Sequence, residues 1–309
     1  KRQVLTYSPD RYRHAAAASK TALSPSRGVF GSEWIVLRRV KGANLPSVGA
    51  VDVARAVRGA LLCHADQPAG PIIAGHGPDG GPAEVPHLAV VPLPFVGSRY
   101  ADGRILGVAI VLPRASSDAD RRVVLRAIGH WEATARRDSE ETPELTVTLG
   151  AAGALIVERI VGTETPAQGL RSSTWCRPSR SWVSVTPVAL DRNPGKLRSK
   201  DPDPHQRAVT EAKAAGEAKA ILVDACRRTG LPDPVAVVIR PSVTLSGSTK
   251  AVGFPPFPPE ASRTRRVKVH AELHFETPVA GPILLGAGRY QGLGLFRPVE
   301  EDHGEDSRS

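Results

Sequence analysis

Apolar residues in the first half of the chain recur with two different periods, and each period predicts a different kind of element. Short apolar or alternating runs are typical of strands, whereas apolar residues three and four apart are typical of amphipathic helices. The pattern predicts a strand over 34–40, a helix over 48–65, a Gly- and Pro-rich loop over 67–86 and strands over 87–95 and 104–112.

A second helix and its following strands complete this first pattern. The helix begins at Ser117 or Asp118, because either short side-chain oxygen can cap free backbone N–H groups. Its apolar stripe includes Trp131, and one or two strands follow over 145–149 and 154–160. The resulting order, β-α-β-β-α-β, is the ferredoxin-like pattern.

The pattern partly restarts after a soft boundary at 162–180. A strand over 182–190, a helix that ends near Gly230, and strands over 234–239 and 267–275 follow, but no strong second helix precedes the closing segment 282–296. The sequence therefore predicts an α+β protein with two tandem ferredoxin-like units, the second incomplete. The predicted division is a connector or the tail of a preceding domain over 1–30, a first unit over 31–165, a second unit over 166–299 and an acidic tail over 300–309.

Composition narrows the class of protein. Of the 309 residues, 41% are hydrophobic and 23% are charged, which is typical of a globular chain. The longest apolar runs, 105–112 and 235–239, are too short to span a bilayer, so we expect no membrane partner. Three well-separated cysteines fit neither a disulfide framework nor a zinc site, so we expect a reduced, cytoplasmic setting with no metal and no cofactor. The chain starts without Met or a signal-like stretch, so we expect this sequence to be a fragment or a processed piece of a longer protein.

Positive charge is concentrated in two segments. The formal net charge is +10; residues 1–60 carry eleven basic and three acidic side chains, and residues 171–200 carry seven and one. Two separate basic segments favour a polyanionic partner such as nucleic acid. An Arg-rich composition without any such partner is the alternative.

The most specific motif is GAGRYQGLGLF at 286–296, with four glycines in nine residues. Glycine permits positive φ and close backbone approach, so successive N–H groups could contact a phosphate, while Arg289 and Tyr290 add a cation and a ring for stacking. A dinucleotide-binding fingerprint is excluded because no helix follows the motif. A tight glycine turn without a ligand is the alternative interpretation.

A tandem ferredoxin-like chain with this glycine motif before its last strand resembles the RAMP superfamily of CRISPR-associated proteins, and most nearly its Cas-six type of repeat-RNA endoribonuclease. The stretches GHGPDG at 75–80, HLAVVPLPFVG at 87–97 and WVSVTPVALD at 182–191 resemble the fused Cas-five/Cas-six subunit of type I-G (formerly I-U) effector complexes. The resemblance covers about residues 30–298, and 1–27 would then be the junction with the Cas-five half.

The resemblance implies an activity: metal-independent cleavage of CRISPR repeat RNA that leaves a 2′,3′-cyclic phosphate. A base removes the 2′-OH proton and an acid protonates the leaving 5′-oxygen, and histidine suits both roles. The leading candidate is His76, in a glycine-flanked loop where the family often places its catalytic histidine. His87 and His64 are the next candidates. For His64, a favourable interaction with the helix dipole would by itself explain a histidine at the end of a helix.

The resemblance also implies an RNA-binding surface and partners. The candidate RNA-binding residues are Gly286, Gly288, Arg289, Gly292 and Gly294 of the glycine motif and the basic residues Arg177, Arg180, Arg198 and Lys200. The expected partners are CRISPR repeat RNA, the mature crRNA and other subunits of a type I, Cascade-like effector complex. Two alternatives remain open: a non-catalytic crRNA-binding subunit of that complex, and an unrelated enzyme on a ferredoxin-like fold.

Overall fold

The computed structural model describes residues 24–77, 81, 83, 85–136, 143–162, 167–242 and 245–299. The predicted acidic tail and most of the predicted N-terminal connector lie outside these residues. No helix within these ranges is long and apolar enough to cross a membrane.

The first sheet has five antiparallel strands in the order β3-β4-β2-β6-β5, with two long helices packed on one face. Apart from β5, this is the strand order of a ferredoxin-like β-α-β-β-α-β unit. A short strand β1 (Ser26–Arg27) precedes the unit in sequence and pairs in the second sheet. The elements of the first unit are β2 (Phe30–Gly42), α1 (Ala50–His64), α2 (Pro71–Ala74), β3 (Ala89–Pro94), β4 (Ile105–Pro113), α3 (Asp118–Ala135), β5 (Leu145–Thr148) and β6 (Ala154–Arg159).

Local sequence accounts for the start of α3. Ser117 Oγ accepts a hydrogen bond from the backbone N–H of Asp120 at 3.1 Å, and the Asp120 carboxylate accepts one from the backbone N–H of Ser117 at 2.9 Å. This reciprocal capping box satisfies two N–H groups that the helix itself leaves unpaired. The predicted stripe on the same helix is buried against the sheet, down to Trp131.

The second sheet repeats the same order with one helix missing. Residues 272–274 of β10 pair with both β7 and β9, so these strands flank β10, and β11 lies beyond β7. Between β10 and β11 the chain forms no helix, which confirms an α+β fold of two ferredoxin-like units with the second incomplete. The elements are α4 (Ser172–Cys176), β7 (Ser179–Ser184), β8 (Val188–Ala189), α5 (Pro204–Arg228), β9 (Ala236–Arg240), β10 (Lys268–Ala280) and β11 (Phe296–Val299).

One strand is shorter than its pattern predicted. The apolar run 182–190 is divided, because residues 185–187 bond to the glycine-rich segment instead of β10. Val185 N–H donates to the carbonyl of Leu295, and Leu295 N–H donates to the hydroxyl of Thr186. Alternation alone does not distinguish a partner strand from a partner loop.

The glycine-rich segment lies where the missing helix would be and joins the two sheets. Leu284 and Leu295 pack with Val91 of β3 and with the fully buried Trp175 of α4 in one apolar cluster. These contacts cover the face of the first sheet opposite α1 and α3. The segment is therefore held in the interface between the two units.

Gly294 is the position at which this packing is tightest. Its φ is +72°, and an added Cβ would lie 1.9 Å from the carbonyl oxygen of Leu285. We expect Gly294→Ala to lower the free energy of unfolding by about 2–5 kcal/mol, because backbone strain and overpacking add. Urea denaturation followed by circular dichroism measures the change.

Gly216→Ala in α5 is the matched control, since nothing lies within 4 Å of an added Cβ there. A helical Gly→Ala change should stabilise the protein by roughly 0.5–1 kcal/mol. Equal effects of the two substitutions would contradict the tight packing of Gly294.

Candidate functional site

A stack of four residues stands at the end of the first sheet where β3 begins. The ring of His87 lies parallel to the ring of Tyr290, with centroids 3.8 Å apart and an interplanar angle of 21°. The Arg289 guanidinium carbon lies 4.6 Å from the centroid of the Tyr290 ring, within reach of a cation–π interaction. The two rings come from distant segments of the chain.

Gly75 closes the other face of His87. A Cβ added to Gly75 would lie 2.8 Å from Nε2 of His87 and 3.0 and 3.1 Å from the two carbons bonded to that nitrogen. Such similar distances to three adjacent ring atoms place the added carbon over the ring face, opposite Tyr290. Gly75, His87, Tyr290 and Arg289 together form what we call the His87 stack.

Arg58 of α1 holds the backbone around the stack. Its guanidinium donates to the carbonyl oxygens of Ile73 at 2.5 Å and Leu88 at 2.7 Å. Burial lowers the pKa of Arg58 to about 10, which still leaves it charged at neutral pH. Sequence reasoning did not select Arg58, because an arginine on an amphipathic helix is indistinguishable from a solvent-facing charge until its partners are known.

His76 and His87 are brought together, in contrasting environments. The pKa of His87 falls from 6.5 to about 4, chiefly because burial disfavours the charged ring. The positive charges of Arg58 and Arg289, and the nearby His76, also lower it. His87 is therefore neutral at neutral pH, whereas the side chain of His76 is exposed beside the stack.

His64 lies in a different environment. It ends α1 six residues beyond Arg58, about 9 Å further along the helix axis. Its ring stacks on Trp131 of α3 with centroids 5.9 Å apart, and its Nδ1–H donates to the carbonyl of Ala60 at 2.8 Å. These contacts account for His64 without a ligand.

The glycine motif uses most of its backbone donors internally. Seven of its N–H groups donate to protein oxygens, those of Ala287, Arg289, Gln291, Leu293, Gly294, Leu295 and Phe296. An added Cβ on Gly286, Gly288, Gly292 or Gly294 would come within 3.0 Å of a neighbouring atom. The glycines thus serve close packing, and Arg289 is half-buried, with its guanidinium donating to the carbonyl oxygen of Gly286 at 3.1 Å. The Nε of Arg289 is buried without a hydrogen-bond partner among the described residues.

The predicted basic residues form two groups, not one. Arg177 and Arg180 flank the start of β7, whereas Arg198 and Lys200 follow β8. All four side chains are exposed, and the N–H group of Ala287 in the glycine motif donates to the carbonyl oxygen of Ala189 at the end of β8. Within the described ranges no group of three or more His, Cys, Asp or Glu side chains could hold a metal ion.

Comparison with known proteins gives a family match over most of the chain. A family model described as "CRISPR-associated protein, GSU0054 family" matches residues 43–298. No curated protein sequence matches the chain. A solved structure entitled "An RAMP protein binding different RNA substrates" is 9% identical, with 86% of this chain and 98% of that chain covered, at a TM-score of 0.36. A score that low does not establish a shared fold.

The stack predicts a measurable effect on the titration of His87. Arg289→Gln should raise the pKa of His87, because it removes a positive charge, yet leave it below 6.5, because burial is the larger cause. Nuclear magnetic resonance of the histidine Cε1–H groups measures the pKa of His87 in the wild type and in Arg289→Gln. The folded ring binds its proton near pH 4 and the unfolded ring near 6.5, so stability should fall as pH drops through this window.

Arg122→Gln is the control, since Arg122 is exposed on α3 and has no ion pair among the described residues. It should leave the pKa of His87 unchanged. A wild-type pKa near 6.5 would contradict the burial of His87 beneath Tyr290.

Proposed function

The chain belongs to the GSU0054 family of CRISPR-associated proteins, and we propose that it is a metal-independent endoribonuclease of the Cas-six type. It cleaves CRISPR repeat RNA and keeps the 3′ stem-loop of the mature crRNA as part of a type I effector complex. The narrower proposal is the Cas-six half of a fused Cas-five/Cas-six subunit of the type I-G kind, acting in the cytoplasm. The observation that carries the proposal is the exposed His76 imidazole beside the His87 stack and Arg289.

The chemistry needs proton transfer and charge stabilisation but no metal. The 2′-oxygen loses its proton and attacks the adjacent phosphorus, and the bond from phosphorus to the 5′-oxygen breaks. The leaving oxygen takes a proton, so the products are a 2′,3′-cyclic phosphate and a 5′-hydroxyl. In this proposal His76 transfers a proton, and the guanidinium of the half-buried Arg289 stabilises charge on the pentacoordinate phosphorus.

His87 has a different role in this proposal. With a pKa of about 4 it is a weak base, and both of its ring faces are covered. Its ring packs against Tyr290 and fixes the position of that ring. Tyr290 in turn fixes the position of the Arg289 guanidinium. His87 is therefore a positioning residue for the same reaction.

One observation favours a second candidate function. Seven of the glycine-motif N–H groups are bonded to protein oxygens and the rings of the stack cover one another, as in a packed core. The second candidate is a non-catalytic subunit that binds crRNA cut by another protein. Incubation of the purified protein with repeat RNA in EDTA separates the two, because only the enzyme yields a cyclic phosphate.

The catalytic proposal predicts that His76→Ala abolishes or strongly slows cleavage and leaves repeat-RNA binding nearly unchanged. Acid–base catalysis contributes about 100- to 10,000-fold, whereas one exposed imidazole adds little to a phosphate-dominated interface. Single-turnover cleavage in EDTA and a filter-binding assay measure the two effects separately.

His205→Ala is the matched control, an exposed histidine at the start of α5. It should cut at the wild-type rate. Loss of binding together with cleavage in His76→Ala would indicate an RNA-contact role, and unchanged cleavage would exclude His76 as the proton-transfer group.

The electrostatic proposal concerns Arg198 and Lys200. Neutralising both should reduce the steepness with which RNA affinity falls with salt, by about 0.7–0.9 in the log–log slope for each phosphate that is no longer neutralised. Lys213→Ala/Lys219→Ala on exposed positions of α5 changes the charge equally and should leave the slope unchanged. Equal slopes for both double variants would indicate that Arg198 and Lys200 lie on a solvated loop and do not contact RNA phosphates.

A further inference from the structure

A cavity of about 290 Å³ lies at the same end of the first sheet, separate from the His87 stack. It is bordered by the start of β2, the end of β4 and the first turns of α3. Strand β2 pairs with β6 only from Leu37 onward, so its first half is open on the side away from β4. The side chains used below are Arg27, Trp34, Arg114 and Arg121.

The charge of this cavity is positive and only partly compensated. Arg121 pairs with Glu33 at 2.5 Å. Arg27 and Arg114 are exposed, and among the described residues no carboxylate lies within 4 Å of either guanidinium. Two cations free to contact a ligand favour an anion, and arginine matches the geometry of a phosphate particularly well.

Trp34 gives the cavity an aromatic wall. Its Nε1–H donates to the carbonyl of Gly31 at 3.2 Å, which orients the indole, and part of the ring packs on the apolar cluster between the sheets. The remainder is accessible from the cavity. The other tryptophans, Trp131, Trp175 and Trp182, are at most 5% exposed.

Strand register places this cavity close to the proposed cleavage site. His87 stands two residues before β3, on one side of β4, and Phe30 opens β2 on the other side. Two inter-strand spacings correspond to about 10 Å. Phe30 lines the cavity and also contacts Tyr290 edge-on, with centroids 5.7 Å apart.

We infer that this cavity binds one nucleotide of a single-stranded stretch of the same RNA, next to the cleaved phosphate. The base stacks on Trp34, and Arg27 and Arg114 contact the flanking phosphates. An aromatic face with backbone-tracking cations is the usual arrangement for single strands, and the volume lies at the small end for ligand pockets, which suits a single nucleotide. This inference rests on the proposed function for its substrate.

The test uses labelled oligodeoxythymidine, which lacks the 2′-OH and therefore cannot be cleaved by the proposed reaction. Binding should quench tryptophan emission, because only Trp34 is accessible among the four tryptophans. Trp34→Leu should abolish the quenching and weaken binding measured by fluorescence anisotropy about tenfold. Trp34→Tyr should bind nearly as the wild type does, since it keeps a stacking ring, and this separates stacking from a folding defect.

Arg27→Ala/Arg114→Ala should weaken binding and lower the steepness of its salt dependence by about 1.4, or about 0.7 for each phosphate contact on a single strand. Arg122→Ala/Arg136→Ala removes the same charge from exposed positions on α3 and at its C-terminal cap, and it should do neither. Absence of quenching, or equal effects of the two double variants, overturns the inference. Failure of His76→Ala to stop cleavage would overturn the proposed catalysis and leave this result untouched.

Discussion

The arrangement of the molecule depends on one close approach of backbone to backbone, at the glycine-rich segment between β10 and β11. Gly292 packs so near α1 that an added Cβ would lie 2.9 Å from the carbonyl oxygen of Ala50. Gly294 leaves even less room beside Leu285. Without side chains at these points the segment fits between the sheets and replaces the second helix that a complete ferredoxin-like unit would have. A side chain at Gly292 would meet Ala50 and Pro92 of the first unit, whereas a side chain at Gly294 would meet Leu285 of the second unit.

This approach is also what assembles the candidate site. Because the segment is held against the first sheet, Tyr290 reaches His87 and Arg289 is carried to the same place. Tyr290 makes the hydrophobic contact, Arg289 brings the charge, and the backbone carbonyl of Tyr290 accepts from Val90 of β3. The segment therefore contributes to function mainly through what it positions. Its backbone donors are largely bonded, partly within the glycine motif and partly to the segment 186–189 and to Ile283.

The arginines of the chain cannot be distinguished by sequence, but they differ in the partners that the fold gives them. Arg38 and Arg159 lie on neighbouring strands and pair with Glu158 and Glu132 at 3.0 and 2.6 Å, so they link secondary-structure elements. Arg58 is satisfied by two carbonyls. Arg114 stands at the cavity edge and meets no carboxylate among the described residues. The excess positive charge of the chain is thus available only at particular places, and one of them adjoins the proposed cleavage site.

Sequence alone determined the parts that depend on near neighbours. Periodicity predicted β2 to β7, β9 and β10, both long helices of the first unit and α5. The short side chain of Ser117 predicted the cap of α3, and the absence of a helical pattern after β10 predicted the incomplete second unit. Each of these follows from hydrogen bonds or burial patterns within a few residues along the chain, which is the range over which a pattern carries information.

Only the tertiary structure decided how the histidines and arginines are used. His64 and His87 both lie beside helix- or strand-forming stretches, yet one stacks on Trp131 and the other on Tyr290. The role of Arg58, the covered faces of the stack and the open cations around Trp34 depend on partners from distant segments. Such contacts are set by the close packing of the two sheets. The periodicity of a strand or helix shows which of its side chains are buried, but it does not show which residue of another element each of them contacts.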